Sequence, residues 1–463
     1  MQAALGRAYQ NMGIAADAQS LLQQAVDSMR LHGPADPRDM AQAYAALALE
    51  KALNGDGRTA AGLAQLGLSL LDGNAEPGVR GPLAHAMGVA SINLQEFPQA
   101  ESWLLRARQH AAAMPAVEGS RLRQRVGQDL ALLYWRWGRL QTAEQHYRQL
   151  LRTTPATDRS LVHDLETRLA QVLRDRGRMP EAKRMLEDGL ARAVALYGPD
   201  SRFVLLQDEA LADLYVDMGD YRAADAQYRH LLRQVERIDG LASVRRSMAL
   251  FNHGQLLAAR GDLALAEQRL REAWRLRVEL LGPDAAATLR AESGLAQLLN
   301  RDGRSEEGRR RLARAAQGLA ERLPADAPAR REIAMGQASL ALLDGDIARA
   351  QSLLSNLRSP EPGIHERLQL AGLQVQLARA QQDLRRALQL REEGLAKSER
   401  LLGRDHVVTA RWRLALARER LDSGQRQAAL EVLAPALPVL RAQLRQDAAE
   451  LQWAKTVLRP ATG

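Results

Sequence analysis

Large apolar and small residues recur in this chain at spacings of three and four, and the pattern is interrupted by glycine at a steady interval of about 42 positions. The interrupting residues are Gly13, Gly55, Gly138, Gly177, Gly219, Gly261, Gly303, Gly345 and Gly424. Each sits in the same phrase. Leu211-Ala212 and Tyr215 precede Gly219, and Ala224, Tyr228 and Leu231 follow it; Leu169-Ala170 and Leu173 precede Gly177, and Ala182, Leu186 and Gly189 follow it. Two further copies keep the phrase without the glycine, one around Met87-Gly88, Ala100 and Leu104, the other around Ala387 and Gly394. A helical period on both sides of a glycine predicts an antiparallel helix hairpin. The glycine takes the left-handed conformation that ends the first helix, and a residue with a Cβ would bear a cost of about 1–2 kcal/mol there. Ala212 and Ala224 are small because the two helices cross at that point. Tyr215 and Tyr228 are expected to fill the remaining gaps as core.

A second phrase joins the hairpins: Leu31-His-Gly-Pro-Ala-Asp, Leu196-Tyr-Gly-Pro-Asp-Ser, Leu280-Leu-Gly-Pro-Asp-Ala and Leu401-Leu-Gly-Arg-Asp-His. Gly ends one helix, Pro forbids its continuation, and Asp or Ser can cap the next. These loops have neither the Gly-x-Gly spacing nor the lysine of a phosphate-binding loop, so they read as structural turns. A repeat of this length means one supersecondary unit stacked on copies of itself, in which each unit contacts its neighbours.

The phrase Leu-Ala/Gly-x-x-Tyr, Gly, Ala-x-x-x-Tyr/Leu resembles the tetratricopeptide repeat. The 42-residue period and the Leu-Gly-Pro-Asp linker are similar to the kinesin-light-chain type, whose helices are longer than those of the 34-residue form. The resemblance implies an all-α fold, a right-handed superhelical solenoid of about eleven antiparallel helix hairpins over residues 1–439. A C-terminal capping helix and tail are expected over 440–463, with Leu440, Leu444, Leu451 and Trp453 covering the last repeat. It further implies a protein or peptide partner lying along the first helix of each repeat. By register, that surface carries Gln128, Trp135 and Arg136, then Arg168, Gln171 and Arg174, then Glu209, Asp213 and Asp217, then Asn252 and Gln255, then Gln297 and Arg301. In this family an Asn before the Leu-Ala pair often holds a peptide backbone. Only Asn252 matches; Asp129, Arg168, Ala210 and Gly294 stand at the equivalent places.

Composition narrows the chemistry. Lys and Arg number 64 against 55 Asp and Glu, and the only lysines are Lys51, Lys183, Lys397 and Lys455. The arginines are spread evenly, whereas a nucleic-acid surface would concentrate charge on one face, so no nucleic-acid partner is expected. Cysteine is absent, which excludes disulfides and thiolate chemistry and leaves the compartment open. No stretch approaches the 18 apolar residues of a membrane span, and the first residues lack a signal peptide's basic and apolar regions. The nine histidines stand singly and no zinc, nucleophile-elbow, Walker or kinase motif occurs, so neither a metal, a cofactor nor catalysis is expected.

Two places invite closer reading. Glu209, Asp213 and Asp217 share one helix face at intervals of four, either as an acidic stripe for a partner's cation or as a face balanced by neighbouring arginines such as Arg174. Tyr134-Trp135-Arg136-Trp137 is the most aromatic spot, with Trp137 expected in the core and Trp135 toward the partner surface or an adjacent repeat. The chain also starts inside the first repeat's helix, where Leu5 and Tyr9 have no preceding cap. That start suggests fraying, self-association through the N-terminal repeat, or a missing upstream segment. The leading expectation is therefore an interaction scaffold. The alternative is the partner-sensing region of a larger bacterial signalling protein, a Ser/Thr kinase or transcriptional regulator. A helical receptor for a short peptide is a third reading. The compartment expected is the cytoplasm, or outside the inner membrane if a membrane-anchored kinase carries the array.

Overall fold

Turn chemistry sets every hairpin. In the computed structural model, which describes residues 15–33, 36–71, 76–324, 327–357 and 363–458, all eight described turn glycines have positive φ, from Gly55 to Gly424. At the two copies without glycine the same conformation is forced on Gln95 (φ 59°) and Gln382 (φ 62°). The next residue is often aspartate, and its carboxylate caps the second helix: Asp56 accepts from the Thr59 N–H at 3.1 Å, Asp220 from Ala223 at 3.1 Å and Asp383 from Arg386 at 2.9 Å. The linker glycines differ. Gly198, Gly282 and Gly403 combine φ of 80–91° with ψ of 159–166°, a region only glycine enters readily. The helix after Gly198 is capped by Ser201, as expected. After Gly403 the cap is instead His406, whose Nδ1 accepts from the Val408 N–H at 3.1 Å. Gly13, Leu5 and Tyr9 lie outside the described residues.

The described residues are helical throughout, without a strand, and they fall into two compact units, residues 1–155 and 156–463. In the first unit α1 (Ala15–His32) is followed by the hairpins α2 (Pro37–Leu53)–α3 (Gly57–Ser69), α4 (Pro77–Asn93)–α5 (Phe97–Ala112) and α6 (Ala116–Arg136)–α7 (Leu140–Thr153). Alanine and glycine at the crossings let the helices approach. A Cβ on Gly88 would meet the Leu104 side chain at 2.6 Å. Leu22, Tyr44 and Leu47 form one core, and Ala41, Ala64 and Leu83 the next.

The second unit holds α8 (Arg159–Asp175)–α9 (Met179–Tyr197), α10 (Arg202–Asp217)–α11 (Tyr221–Ile238), α12 (Val244–Arg260)–α13 (Leu263–Leu281) and α14 (Ala286–Arg301)–α15 (Ser305–Ala320). After these come α16 (Pro328–Leu343)–α17 (Ile347–Ser355), α18 (Ile364–Ala380)–α19 (Leu384–Leu402) and α20 (Val407–Asp422). The last second helix is broken at Ala434-Pro435 into α21 (Arg426–Leu433) and α22 (Ala436–Gln443), and α23 (Ala449–Val457) follows. Ala212 and Ala224 are fully buried at their crossing and Tyr228 is 1% exposed, as the register requires. Tyr215 is only partly buried, with the Lys183 ammonium over its ring.

One core in this unit departs from a neighbour-only array. It joins Leu205, Tyr228 and Leu231 to Val407, Leu414, Leu433, Leu440 and Leu451, some two hundred residues along the chain. The helices α20 to α23 return onto the middle repeats. The Arg445 N–H donates to the Arg260 carbonyl at 3.1 Å, the Arg445 guanidinium pairs with Asp262 at 2.9 Å, and Arg411 donates to the Ala259 carbonyl. The terminal segment therefore covers more than the last repeat. Leu440, Leu444 and Leu451 are buried in the shared core, and Trp453 packs on it beneath Arg418.

Candidate partner-binding site

The first helices α8, α10 and α12 lie side by side in the second unit, and their sequence-predicted positions converge. Arg174, in the last turn of α8, is the hub. Its guanidinium lies 3.1 Å from Asp217, 3.6 Å from Asp213 and 2.9 Å from Asp175. Burial works against the Arg174 charge, but these three carboxylates more than offset it and keep the side chain protonated. The acidic stripe is thus balanced by Arg174 within the chain. It is also half-buried rather than a solvated face.

Each acid has its own partners. Asp213 accepts from the Tyr228 hydroxyl and from Asn252 Nδ2 at 3.3 Å; burial raises its pKa against the pull of Arg174. Glu209 is pushed up to about 7 by burial and by Asp213, with only Arg245 at 3.5 Å opposing. For Asp217 burial is outweighed by the His365 hydrogen bond and by the charges of Arg174, His365 and His406, which hold it below the usual carboxylate range. The histidines come from α18 and from the cap of α20: His365 Nε2 is 2.8 Å from Asp217 Oδ1, and His406 Nε2 is 2.9 Å from the Asp217 carbonyl. The periodicity of one repeat carries no signal for contacts across 148 and 189 positions.

Between these groups is a cleft of about 290 Å³, lined by Arg174, Asp213, Asp217, Tyr228, Asn252 and Gln255. Gln255 is exposed. Asn252 is half-buried and spends its amide N–H on Asp213. The remaining predicted positions are dispersed. Arg168 pairs with Asp164 on its own helix at 2.8 Å, Gln171 is half-buried, Gln297 donates to Ser293 at 3.4 Å, and the exposed Arg301 donates to the Ala258 carbonyl at 3.0 Å. Gln128, Trp135 and Arg136 belong to α6 of the first unit, where Gln128 and Trp135 are half-buried and Arg136 is exposed. Trp137 is half-buried too, stacked on Phe97 with the Arg139 guanidinium 3.5 Å above its ring. Among the described residues no group of three or more His, Asp or Glu side chains could hold a metal, and no helix is long and apolar enough to cross a membrane.

Family models of the tetratricopeptide repeat match residues 128–157, 161–237, 252–284 and 375–407. No curated protein matches the sequence. Among solved structures, a Rap protein complexed with competence and sporulation factor is 13% identical over 84% of this chain and 99% of its own, with a TM-score of 0.48. The Cut9–Hcn1 hetero-tetramer of APC/C is 13% identical over 98% of this chain and 95% of that one, at 0.43. A Podosopora anserina putative kinesin light chain with nearly identical TPR-like repeats is 18% identical over 48% of this chain and 97% of its own, at 0.36. At these scores the likenesses carry no functional weight.

Proposed function

Because this chain is a tetratricopeptide repeat protein with the long period of the kinesin-light-chain type, we propose that it is an interaction scaffold docking a peptide or partner domain on its first-helix faces. The observation that carries this reading is the cleft where α8, α10 and α12 meet. Its acids are neutralised from within, so its floor offers hydrogen bonds more than net charge. Gln255 presents an amide with both donor and acceptor, and the Asn252 side-chain oxygen Oδ1 accepts nothing among the described residues. That chemistry suits a peptide backbone or polar side chain. One cleft of this size is too small for a stable complex, which needs about 1,200–2,000 Å² of total buried surface. Neighbouring first helices, with Gln297 and Arg301, would supply the rest.

Charge reversal is a poor probe here, because at Asp213 it would strand Arg174, Tyr228 and Asn252, and at Glu209 it would strand Arg245. Site-specific photo-crosslinking is cleaner. A benzoylphenylalanine placed at Gln255 should capture a partner in cells, and the same group at exposed Arg233 on the second helix α11 should not. Equal capture from both positions, or capture from Arg233 alone, would move the site off the first-helix face. The captured protein would also test the alternative reading, the partner-sensing region of a larger bacterial signalling protein.

A further inference from the structure

The second helices of the repeats differ in one instructive way. In the second unit α9, α13 and α19 each run nineteen residues, whereas α17 stops at Ser355 after nine. The sequence beyond it carries Pro360 and Pro362, which lack the N–H donors a helix needs. In α13 the later half supplies buried Ala273 and packed Leu276 to the core. In the repeat of α17 that half is missing. Between the described residues of α15, α16 and α17 lies a groove of about 650 Å³.

Its walls have a distinct chemistry. Ala316 and Ala320 on α15 and Ala334 on α16 face it with small side chains, and Leu353 and Leu357 close the α17 side, both only partly buried. Small residues on two facing helices let a third helix approach at the usual 8–10 Å between axes. The charged side chains lining it are Arg330 and Arg331, and no carboxylate does. Arg331 is met by Glu366 at 3.1 Å, while Arg330 donates to the Leu323 carbonyl at 3.0 Å and pairs with no acid among the described residues. We propose that this groove seats an amphipathic helix of a partner protein, apolar along one face and acidic along its flank, replacing the missing half of α17. Ten residues of helix span about 15 Å, so about three turns would fill the gap. Recognition is of the helix-in-groove kind, read through apolar anchors at i, i+3, i+4 and i+7. The site is separate from the α8–α10–α12 cleft and uses second helices as well as a first.

The test is fluorescence anisotropy on the full chain with a labelled synthetic helix of about fourteen residues, Leu and Ala on one face and Glu on its flank. A second peptide has Lys in place of every Glu. The wild type should bind the acidic peptide saturably and the basic one about tenfold more weakly or worse. Ala320→Glu, at an exposed position on α15, and Arg330→Glu should each weaken binding about tenfold without lowering the thermal melt. Gln255→Lys, in the cleft of the proposed scaffold site, should leave it unchanged, so this proposal and that reading fail separately. Absence of saturable binding overturns the proposal, as does equal binding of the two peptides or indifference to Ala320→Glu and Arg330→Glu. Two other results name another occupant and equally overturn it. One is a dimer in sedimentation that Ala320→Glu dissociates, which makes a second copy the occupant. The other is binding that appears only once residues 358–362 are exchanged for a Gly-Ser linker, which makes the chain's own segment the occupant.

Discussion

Gln95 and Gln382 stand where the eight other described hairpins place glycine, and the fold bends them to φ of 59° and 62° all the same. The register of the repeat overrules the local preference, since the hairpin on each side needs a left-handed residue to satisfy the last carbonyls of its first helix. The Gln95 and Gln382 N–H groups do so, donating to the Ile92 and Arg379 carbonyls at 3.0 and 2.9 Å. The left-handed state costs a side-chain-bearing residue about 1–2 kcal/mol, and glycine's greater freedom when unfolded returns part of that. Gln95→Gly and Gln382→Gly should therefore each stabilise the protein by about 1 kcal/mol. Chemical denaturation of the single variants checks this; a loss of stability in both would mean that the glutamine side chains contribute more than the backbone strain removes. At this scale the sequence was highly legible. The positions of Ala212, Ala224 and Tyr228 follow from spacing alone, because each depends on neighbours within one hairpin.

Among the elements, the return of α18 and α20 to the end of α10 rests on two histidines with opposite proton linkage. The hydrogen bond to Asp217 raises the His365 pKa above its ordinary 6.5 despite burial. His365 therefore contributes fully below about pH 6.5, and that contribution is lost as pH rises through its raised pKa. Burial lowers the pKa of His406, with the His365 charge nearby, while its bond to the Asp217 carbonyl resists. His406 contributes fully above about pH 6.5 and less as pH falls toward its lowered pKa. Charged neighbours on the packed elements are Asp217 from α10 and Arg174 and Asp175 from α8. The contribution of these two rings taken together is thus largest near pH 6.5. His365→Gln should remove the alkaline loss and His406→Gln the acid loss, read as melting temperature against pH. Parallel profiles for wild type and both variants would show that neither ring titrates through folding. His406 left a trace in the sequence, taking the cap position of a linker phrase that elsewhere reads Gly-Pro-Asp. Its contact with Asp217 left none, because a repeat period encodes what lies one unit away and nothing about what lies five units away.

For the molecule as a whole, the sequence implies a stack whose stability is a sum of repeat and neighbour terms, and such a stack unfolds broadly. The second unit has a different constraint. Leu205, Tyr228 and Leu231 share one core with Leu414, Leu433 and Leu451, so the middle repeats cannot lose their cover without releasing the last ones. Backbone and ionic links from Arg445 to Arg260 and Asp262 tie the next middle repeat to the same terminal stretch. Coupling at this distance turns a row of local equilibria into one cooperative unit. Native-state hydrogen exchange should therefore give residues 205–235 and 407–454 the same opening free energy, with the same denaturant dependence. Arg445→Ala, which removes the Asp262 pair but leaves the Arg445 backbone bond, should lower protection in both stretches together. A linear stack predicts the contrary: protection would fall near residue 445 while 205–235 stayed as they were. That outcome would mean the shared core forms in the folded state without coupling the repeats it joins.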